Sequence, residues 1–181
     1  MGIIVQLPLP RPSLEVLLDL IPENKDIDVI SKKGTDRYYA GDMSKLSPVI
    51  RTLALFTKEI EKATSNKSAL VIGDGSLVGR PAFKYLDHKK FNVTVNNQYV
   101  TGQKITQDLV VLAAGVPNLV NGEDLAERCN VIDFGSTVAD GKIVGDLNRK
   151  SKIDHLGLVS LTPGGVGPLV VRYLLMNFLG L

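Results

Sequence analysis

The chain has 181 residues, 44% of them apolar and 22% charged, with a formal net charge of +2. That length can bury one core of useful size, and the composition is ordinary for a soluble globular protein. The nearly balanced charge gives no footprint for nucleic acid or an acidic membrane, no apolar run reaches membrane-spanning length, and the single cysteine, Cys129, excludes an internal disulfide or a thiolate metal cluster.

Met1 is followed at once by apolar residues without a basic stretch, so no signal peptide is expected and the location read from the sequence is cytoplasmic. Gly2 to Leu7 reads as a buried strand stopped by Pro8 and Pro10. Pro12-Ser13 offers a cap for a helix over Leu14 to Leu20, which Ile21-Pro22 ends. Residues 23–45 read as polar and irregular. Ser47-Pro48 is a cap followed by proline in the first turn, and Leu53, Leu55, Phe56 and Ile60 continue as one amphipathic helix ending near 64–66.

An alternation of strands and helices follows. Ala69 to Ile72 is a β-branched run closed by Gly73, and Arg80 to Leu86 reads as a helix. Phe91 to Val95, Asp108 to Ala113 and Asn130 to Phe134 read as further strands, with a helical stretch over Gly122 to Arg128. Asp140-Gly141 is a hairpin turn, because both residues tolerate positive φ. Leu158 to Leu161 is a last short strand, Pro163 to Pro168 a glycine loop, and Leu169 to Leu179 an apolar helix. So little of that helix is polar that it is expected to pack on two sides or to meet another chain. The alternation predicts an α/β fold with a parallel sheet and helices on both faces.

The turn between Ile72 and the next helix carries Gly73, Asp74, Gly75, Ser76 and Gly79. Its spacing is G-x-G-x-x-x-G, one residue longer than the dinucleotide fingerprint. Glycines there let the backbone turn sharply beside a pyrophosphate, which the helix amides then hold. A plain structural turn explains the same residues as well.

Several segments together resemble the methylenetetrahydrofolate dehydrogenase/cyclohydrolase (FolD-like) family. They are Gly2 to Pro10, Lys25 to Asp28, Val71 to Pro81, Ala113 to Pro117, Val131 to Gly135, Gly145-Asp146 and Pro163 to Pro168, in family order across nearly the whole chain. The resemblance implies a Rossmann-like domain and oxidation of methylenetetrahydrofolate to methenyltetrahydrofolate with NAD or NADP. It also implies hydrolysis of the product to formyltetrahydrofolate, and a homodimer. It implies roles for Gln6, beside the catalytic lysine, and for Asp28, on the pterin ring. Leu7, Pro8, Pro163, Gly164, Gly165 and Val166 would line the folate, and Gly73, Asp74, Gly75, Ser76, Gly79, Gly115 and Ser136 the dinucleotide. No metal, nucleic acid or membrane partner is implied. Without the resemblance Asp28 reads as a loop-capping aspartate.

The chain also departs from the family pattern. The family's N-terminal part, with its tyrosine and catalytic lysine, has no counterpart here, so the chain reads as shortened at that end. Tyr85 and Lys89 have the right spacing but sit on the helix after the glycine turn. Asp74 stands where the family has arginine, which favours NAD over NADP because a carboxylate repels a 2′-phosphate and accepts from a free ribose diol. The expected division is 1–56 as a remnant of the folate-binding domain, 57–162 as the Rossmann-like domain, and 163–181 as a loop and helix returning to the first segment. The alternative to an enzyme is a folate- or dinucleotide-binding module without turnover. A further reading gives chemistry to 32–42, where Arg37, Tyr38 and Tyr39 otherwise form a plain surface loop.

Overall fold

The computed structural model describes residues 2–63 and 67–181. In chain order the strands are β1 (Ser68–Ile72), β2 (Asn92–Asn96), β3 (Leu109–Leu112), β4 (Val120–Asn121), β5 (Asn130–Asp133), β6 (Thr137–Ala139), β7 (Lys142–Val144), β8 (Leu147–Asn148) and β9 (Val159–Ser160). The α-helices are α1 (Lys32–Tyr39), α2 (Pro48–Ala63), α3 (Gly79–His88) and α4 (Val166–Leu179).

The fold is α/β, with a parallel central sheet flanked by helices. Its five strands run in the order β2-β1-β3-β5-β9. Alternate side chains enter two separate cores, as the two-residue period of a strand requires. Ala69, Val71, Leu109, Val111 and Ile132 meet Ile50 and Leu53 of α2 and Ala82 and Leu86 of α3. Leu70, Ile72, Val110, Leu112 and Val131 meet Tyr99, Ile105, Val120, Leu125 and Leu147 on the opposite face. Burial on both faces is why β1, β3 and β5 read as unbroken apolar runs. The chain leaves β1 toward β2 on one side, then crosses back to β3 on the other. The C-terminal ends of β1 and β3 therefore flank the crevice where a doubly wound sheet receives ligands.

Several local expectations need correcting. Residues 2–7 are not a buried strand: Ile3 makes one bridge to Asp26, and Ile4 is 54% exposed. An apolar run becomes a strand only where a neighbouring strand is extended beside it, and here Ile3 N–H to the Lys25 carbonyl is the backbone bond made. The helix at 14–20 is a 3-10 segment over Pro12–Leu20. The stretch at 122–128 is one 3-10 turn, Gly122–Asp124. The expected end of the long helix at 64–66 lies outside the described residues.

The irregular stretch at 23–45 contains α1. Its start is fixed by buried Asp26, whose carboxylate accepts from Ile30 N (3.1 Å), Ser31 N (3.0 Å) and Ser31 Oγ (2.6 Å). Ser31 Oγ in turn caps Gly34 N at 3.1 Å. Tyr38 anchors the other end, its hydroxyl donating to the Pro81 carbonyl at 2.7 Å. The hairpin forms as expected, with Asp140 at φ 50° and Gly141 at φ 72° joining β6 and β7.

The last helix starts earlier than expected, at Val166, and packs on α2. Its outer stripe faces solvent, with Val171 56% and Leu175 55% exposed, so it is not covered on two sides within the chain. Asn177 locks it in place. Its Nδ2 donates to the carbonyls of Ile27 (2.8 Å) and Leu46 (3.0 Å), and its Oδ1 accepts from Arg51 at 2.7 Å. Arg51 also lies 4.8 Å over the Tyr173 ring. The helix α2 runs continuously through residues 56 and 57.

Candidate functional site

A cavity of about 630 Å³ opens between the N-terminal segment, α1, the start of α2, the turn after β1, and α4. Ile4 to Leu9 form one wall, and Val170 and Leu174 of α4 another. Ser47 to Ile50 and Ile30 close the apolar base. A cleft of this size, mostly apolar with a few polar groups, suits a flat organic ligand.

Of the residues proposed from the sequence, the cleft brings together Gln6, Leu7, Pro8, Asp28 and Ser76. Gln6 is exposed, and its Nε2 donates to the Leu7 carbonyl at 3.0 Å. Asp28 is half-buried and makes no side-chain hydrogen bond or ion pair among the described residues. Burial and then the nearby Asp26 charge hold its carboxyl above the ordinary carboxylate range. Asp26 spends its own oxygens on the start of α1, so Asp28 is the carboxylate left free to face the cleft.

The glycine loop near the end of the chain sits differently. Pro163 and Gly164 are exposed, Gly165 is half-buried and Val166 is buried in the core. None of the four lines the cleft, although Val170 and Leu174, one and two turns further along the same helix, do.

The turn after β1 occupies the crevice at the sheet's switch point. Gly73 has φ +100°, and a Cβ there would lie 2.4 Å from the Ala113 carbonyl, so the turn is pressed against the end of β3. Asp74, Gly75 and Ser76 are exposed above it, and no side chain caps the first turn of α3. Within that turn Arg80 N already donates to the Gly75 carbonyl at 3.1 Å and Pro81 has no N–H, so the positive end of the helix dipole, more than free amides, favours an anion there. Gly79 fits closely beneath, since a Cβ would meet the Gly73 carbonyl at 2.0 Å. Asp74 faces Arg80 at 3.7 Å, an exposed pair that contributes little. Gly115 follows β3 and Ser136 follows β5, both exposed at the same end of the sheet. Ser76 and Leu77 belong to this turn and also line the cleft, so the two regions are contiguous.

The residues assigned to the folate and the dinucleotide leave out part of the cleft wall. Thr35, Tyr38 and Tyr39 come from α1, and Glu15 and Leu18 from the 3-10 segment. Tyr38 and Tyr39 are not residues of a plain surface loop: their rings pack edge to face at 5.5 Å. Burial raises the Tyr39 phenol, and the Arg80 charge pulls it the other way. Arg37, grouped with them in the sequence, turns to Glu23 (3.0 Å) and Asp42 (3.6 Å) instead. The signal that locates α1 was present as Ser31 followed by Gly34, with the pair Lys32–Asp36 one turn apart. Among the described residues lining the cleft, the titratable groups are Glu15, Asp28, Tyr38 and Tyr39, and no lysine is among them.

Residues 49–181 match the family described as tetrahydrofolate dehydrogenase/cyclohydrolase, NAD(P)-binding domain. The bifunctional protein FolD of Clostridium acetobutylicum is 32% identical over 180 residues, covering 97% of this chain and 65% of that protein. The FolD of Leuconostoc mesenteroides is 30% identical over 184 residues, again covering 97% of this chain and 66% of the relative. The chain thus spans just under two thirds of the length of these curated relatives. Among solved structures, FolD methylenetetrahydrofolate dehydrogenase/cyclohydrolase from Campylobacter jejuni superposes with a TM-score of 0.84 at 29% identity, over 99% of this chain and 66% of that one. FolD from Trypanosoma brucei, solved with NADP and an inhibitor, superposes with a TM-score of 0.85 at 28% identity, over 98% of this chain and 65% of that one.

Proposed function

We propose, from the premise that this chain belongs to the tetrahydrofolate dehydrogenase/cyclohydrolase family, that it acts on a tetrahydrofolate derivative in one-carbon metabolism. The reactions are NAD(P)-dependent oxidation of methylenetetrahydrofolate to methenyltetrahydrofolate and hydrolysis of that product to formyltetrahydrofolate. The observation that carries the reading is Asp28, a half-buried carboxylate with no partner among the described residues, facing an apolar cleft contiguous with the glycine turn. A carboxylate in that position accepts from the N–H groups of a pterin ring and fixes its orientation. Leu7 and Pro8 offer the ring an apolar wall. Gln6 keeps one amide oxygen free for a polar neighbour.

The dinucleotide belongs in the crevice after β1 and β3. Gly73, Asp74, Gly75, Ser76 and Gly79 would hold its phosphates and ribose, and Gly115 and Ser136 its nicotinamide half. Its nicotinamide would supply the hydride acceptor for oxidation of the one-carbon bridge. That oxidation leaves a methenyl cation, so its charges balance without a proton acceptor. Hydrolysis adds water and releases one proton, for which the carboxyl groups of Glu15 and Asp28 are the acceptors with cleft exposure. Asp74 favours NAD over NADP through repulsion of a 2′-phosphate. The loop 163–166 carries α4 into the wall, and its folate contacts belong to the proposal. So do the division at 56/57 and 162/163, the homodimer and a cytoplasmic location; no helix of the described residues is long and apolar enough to cross a membrane.

The test mixes the purified chain with methylenetetrahydrofolate and NAD or NADP. Reduced-nicotinamide absorbance follows the first reaction, and loss of methenyl absorbance the second. Turnover is expected, with NAD preferred. Asp28→Ala should raise the folate KM by about tenfold or more, the worth of a hydrogen bond to a charged group, while the dinucleotide KM stays put. No turnover with either cofactor and no accelerated hydrolysis would leave a binding module instead.

A further inference from the structure

The ends of β3 and β5 are joined by two buried carboxylates that the proposed reaction does not use. Asp133 closes β5 and is 1% exposed. It accepts from Gly135 N (2.9 Å), Asp146 N (3.2 Å) and Leu147 N (3.1 Å). Asp146 is fully buried, and its Oδ2 accepts from Ala114 N (2.7 Å) and Gly115 N (3.1 Å) in the loop after β3. Its Oδ1 has no hydrogen-bond partner among the described residues. Neither carboxyl has an ion-pair partner among the described residues.

The Asp146 carboxyl lies against the loop after β5. A Cβ on Gly135 would come within 2.2 Å of its Cγ and Oδ1, so only glycine lets the carboxyl pass there. Two residues on, Thr137 Oγ1 donates to the Gly115 carbonyl at 2.8 Å. Gly115 is exposed, yet both its peptide groups are held: N–H by Asp146, C=O by Thr137. An exposed glycine pinned from both sides is a backbone kept in one conformation, although its own side chain cannot hold it.

We propose that Asp146, with Thr137, is a positioning residue for the dinucleotide, fixing the loops after β3 and β5 so that Gly115 and Ser136 stand at a set separation. This rests on the reading above that Gly115 and Ser136 face the cofactor. Preorganised contacts of this kind improve affinity because the loop loses little freedom on binding. The arrangement also accounts for the unpartnered Oδ1. The buried oxygen is held against Gly135 because the other oxygen must reach the two loop amides.

The experiment is calorimetric titration of the full chain with NAD and NADP, and separately with 5-formyltetrahydrofolate as a stable folate. Thr137→Val, an exposed-side change that leaves the core alone, should raise the dinucleotide Kd by about threefold to tenfold, the worth of one hydrogen bond. Asp146→Ala, which leaves two amides without an acceptor, should raise it by more than about tenfold. Asp146→Asn keeps one acceptor oxygen for the same amides and should restore most of that loss. The folate Kd should stay at the wild-type value throughout. If Asp146→Ala does not fold, Thr137→Val carries the test alone. Folded variants that bind dinucleotide as tightly as wild type, or that lose folate affinity equally, overturn the proposal. Failure of the wild-type chain to bind NAD or NADP would instead overturn the reading on which it rests.

Discussion

Burial raises the carboxyl groups of Asp28, Asp133 and Asp146 alike, and the surroundings decide what each can do. Asp28 has a cleft in front of it and free oxygens. Asp146 is drawn back toward the charged form by the amides of Ala114, Gly115 and Val116. Asp133 is pushed up to about 6 from an ordinary 3.8, first by burial and also by the Asp146 charge, against the pull of its three amides. Its folded value lies above its unfolded one, so its proton favours the folded state. That contribution is complete below 3.8 and is lost as pH rises through about 6. Between pH 8 and pH 5 it should grow by roughly 1 kcal/mol. Urea unfolding of wild type and Asp133→Asn across this range checks it: wild type should gain on the variant as pH falls. A constant difference between them would refute it.

At the scale of elements, α4 shows how a mostly apolar helix is placed by one polar residue. Asn177 ties it to Ile27, Leu46 and Arg51 in three different segments. Asn177→Ala should cost about 2 kcal/mol and lower the Tm by roughly 4–8 °C, because the Ile27 and Leu46 carbonyls lose their donor. Thermal denaturation measures this, and a shift under about 1 °C would mean that burial of Val166 and contact with α2 suffice. Such a tie is invisible in the sequence, since Asn177 reads as one of few polar positions on an apolar helix. What was legible were elements whose own residues determine them: β1, β3 and β5 as apolar runs ending at glycine or acid, α2 from Ser47-Pro48, and the Asp140-Gly141 hairpin. Elements settled by distant partners were not. α1 is polar but for its two tyrosines and depends on Asp26 and Pro81, and residues 2–7 lack the neighbour that would make them a strand. The cleft was half legible. Gln6, Leu7, Pro8 and Asp28, singled out in the sequence, all line it, whereas Tyr39, Val170 and Leu174 reach it through α1 and α4.

For the whole molecule, the cleft and the sheet rest on unequal foundations. Val71, Val110, Val111 and Ile132 are buried in cores on two faces and carry the ladder between β1, β3 and β5. Residues 2–20 have one bridge, a 3-10 segment and side chains such as Leu20 at 76% exposure. Amides open by local fluctuation where few apolar contacts hold them, and by global unfolding where many do. Hydrogen exchange should therefore be slowest over 69–72, 109–112 and 131–133, and faster by orders of magnitude over 3–20. A folate in the cleft should slow the second group selectively. Uniform protection across the chain would show the N-terminal segment to be as firmly held as the sheet.

Ser76 and Leu77 form part of the turn after β1 and part of the cleft wall. A folate in the cleft and a dinucleotide on the turn would share these two residues as neighbours. A guest that settles them makes the neighbouring seat easier to fill, and one that displaces them makes it harder. Linkage requires the help or hindrance to be mutual and equal in factor, whichever guest arrives first. Neither affinity is then a fixed property of its own seat. Each is set by what already rests against the same two adjoining residues.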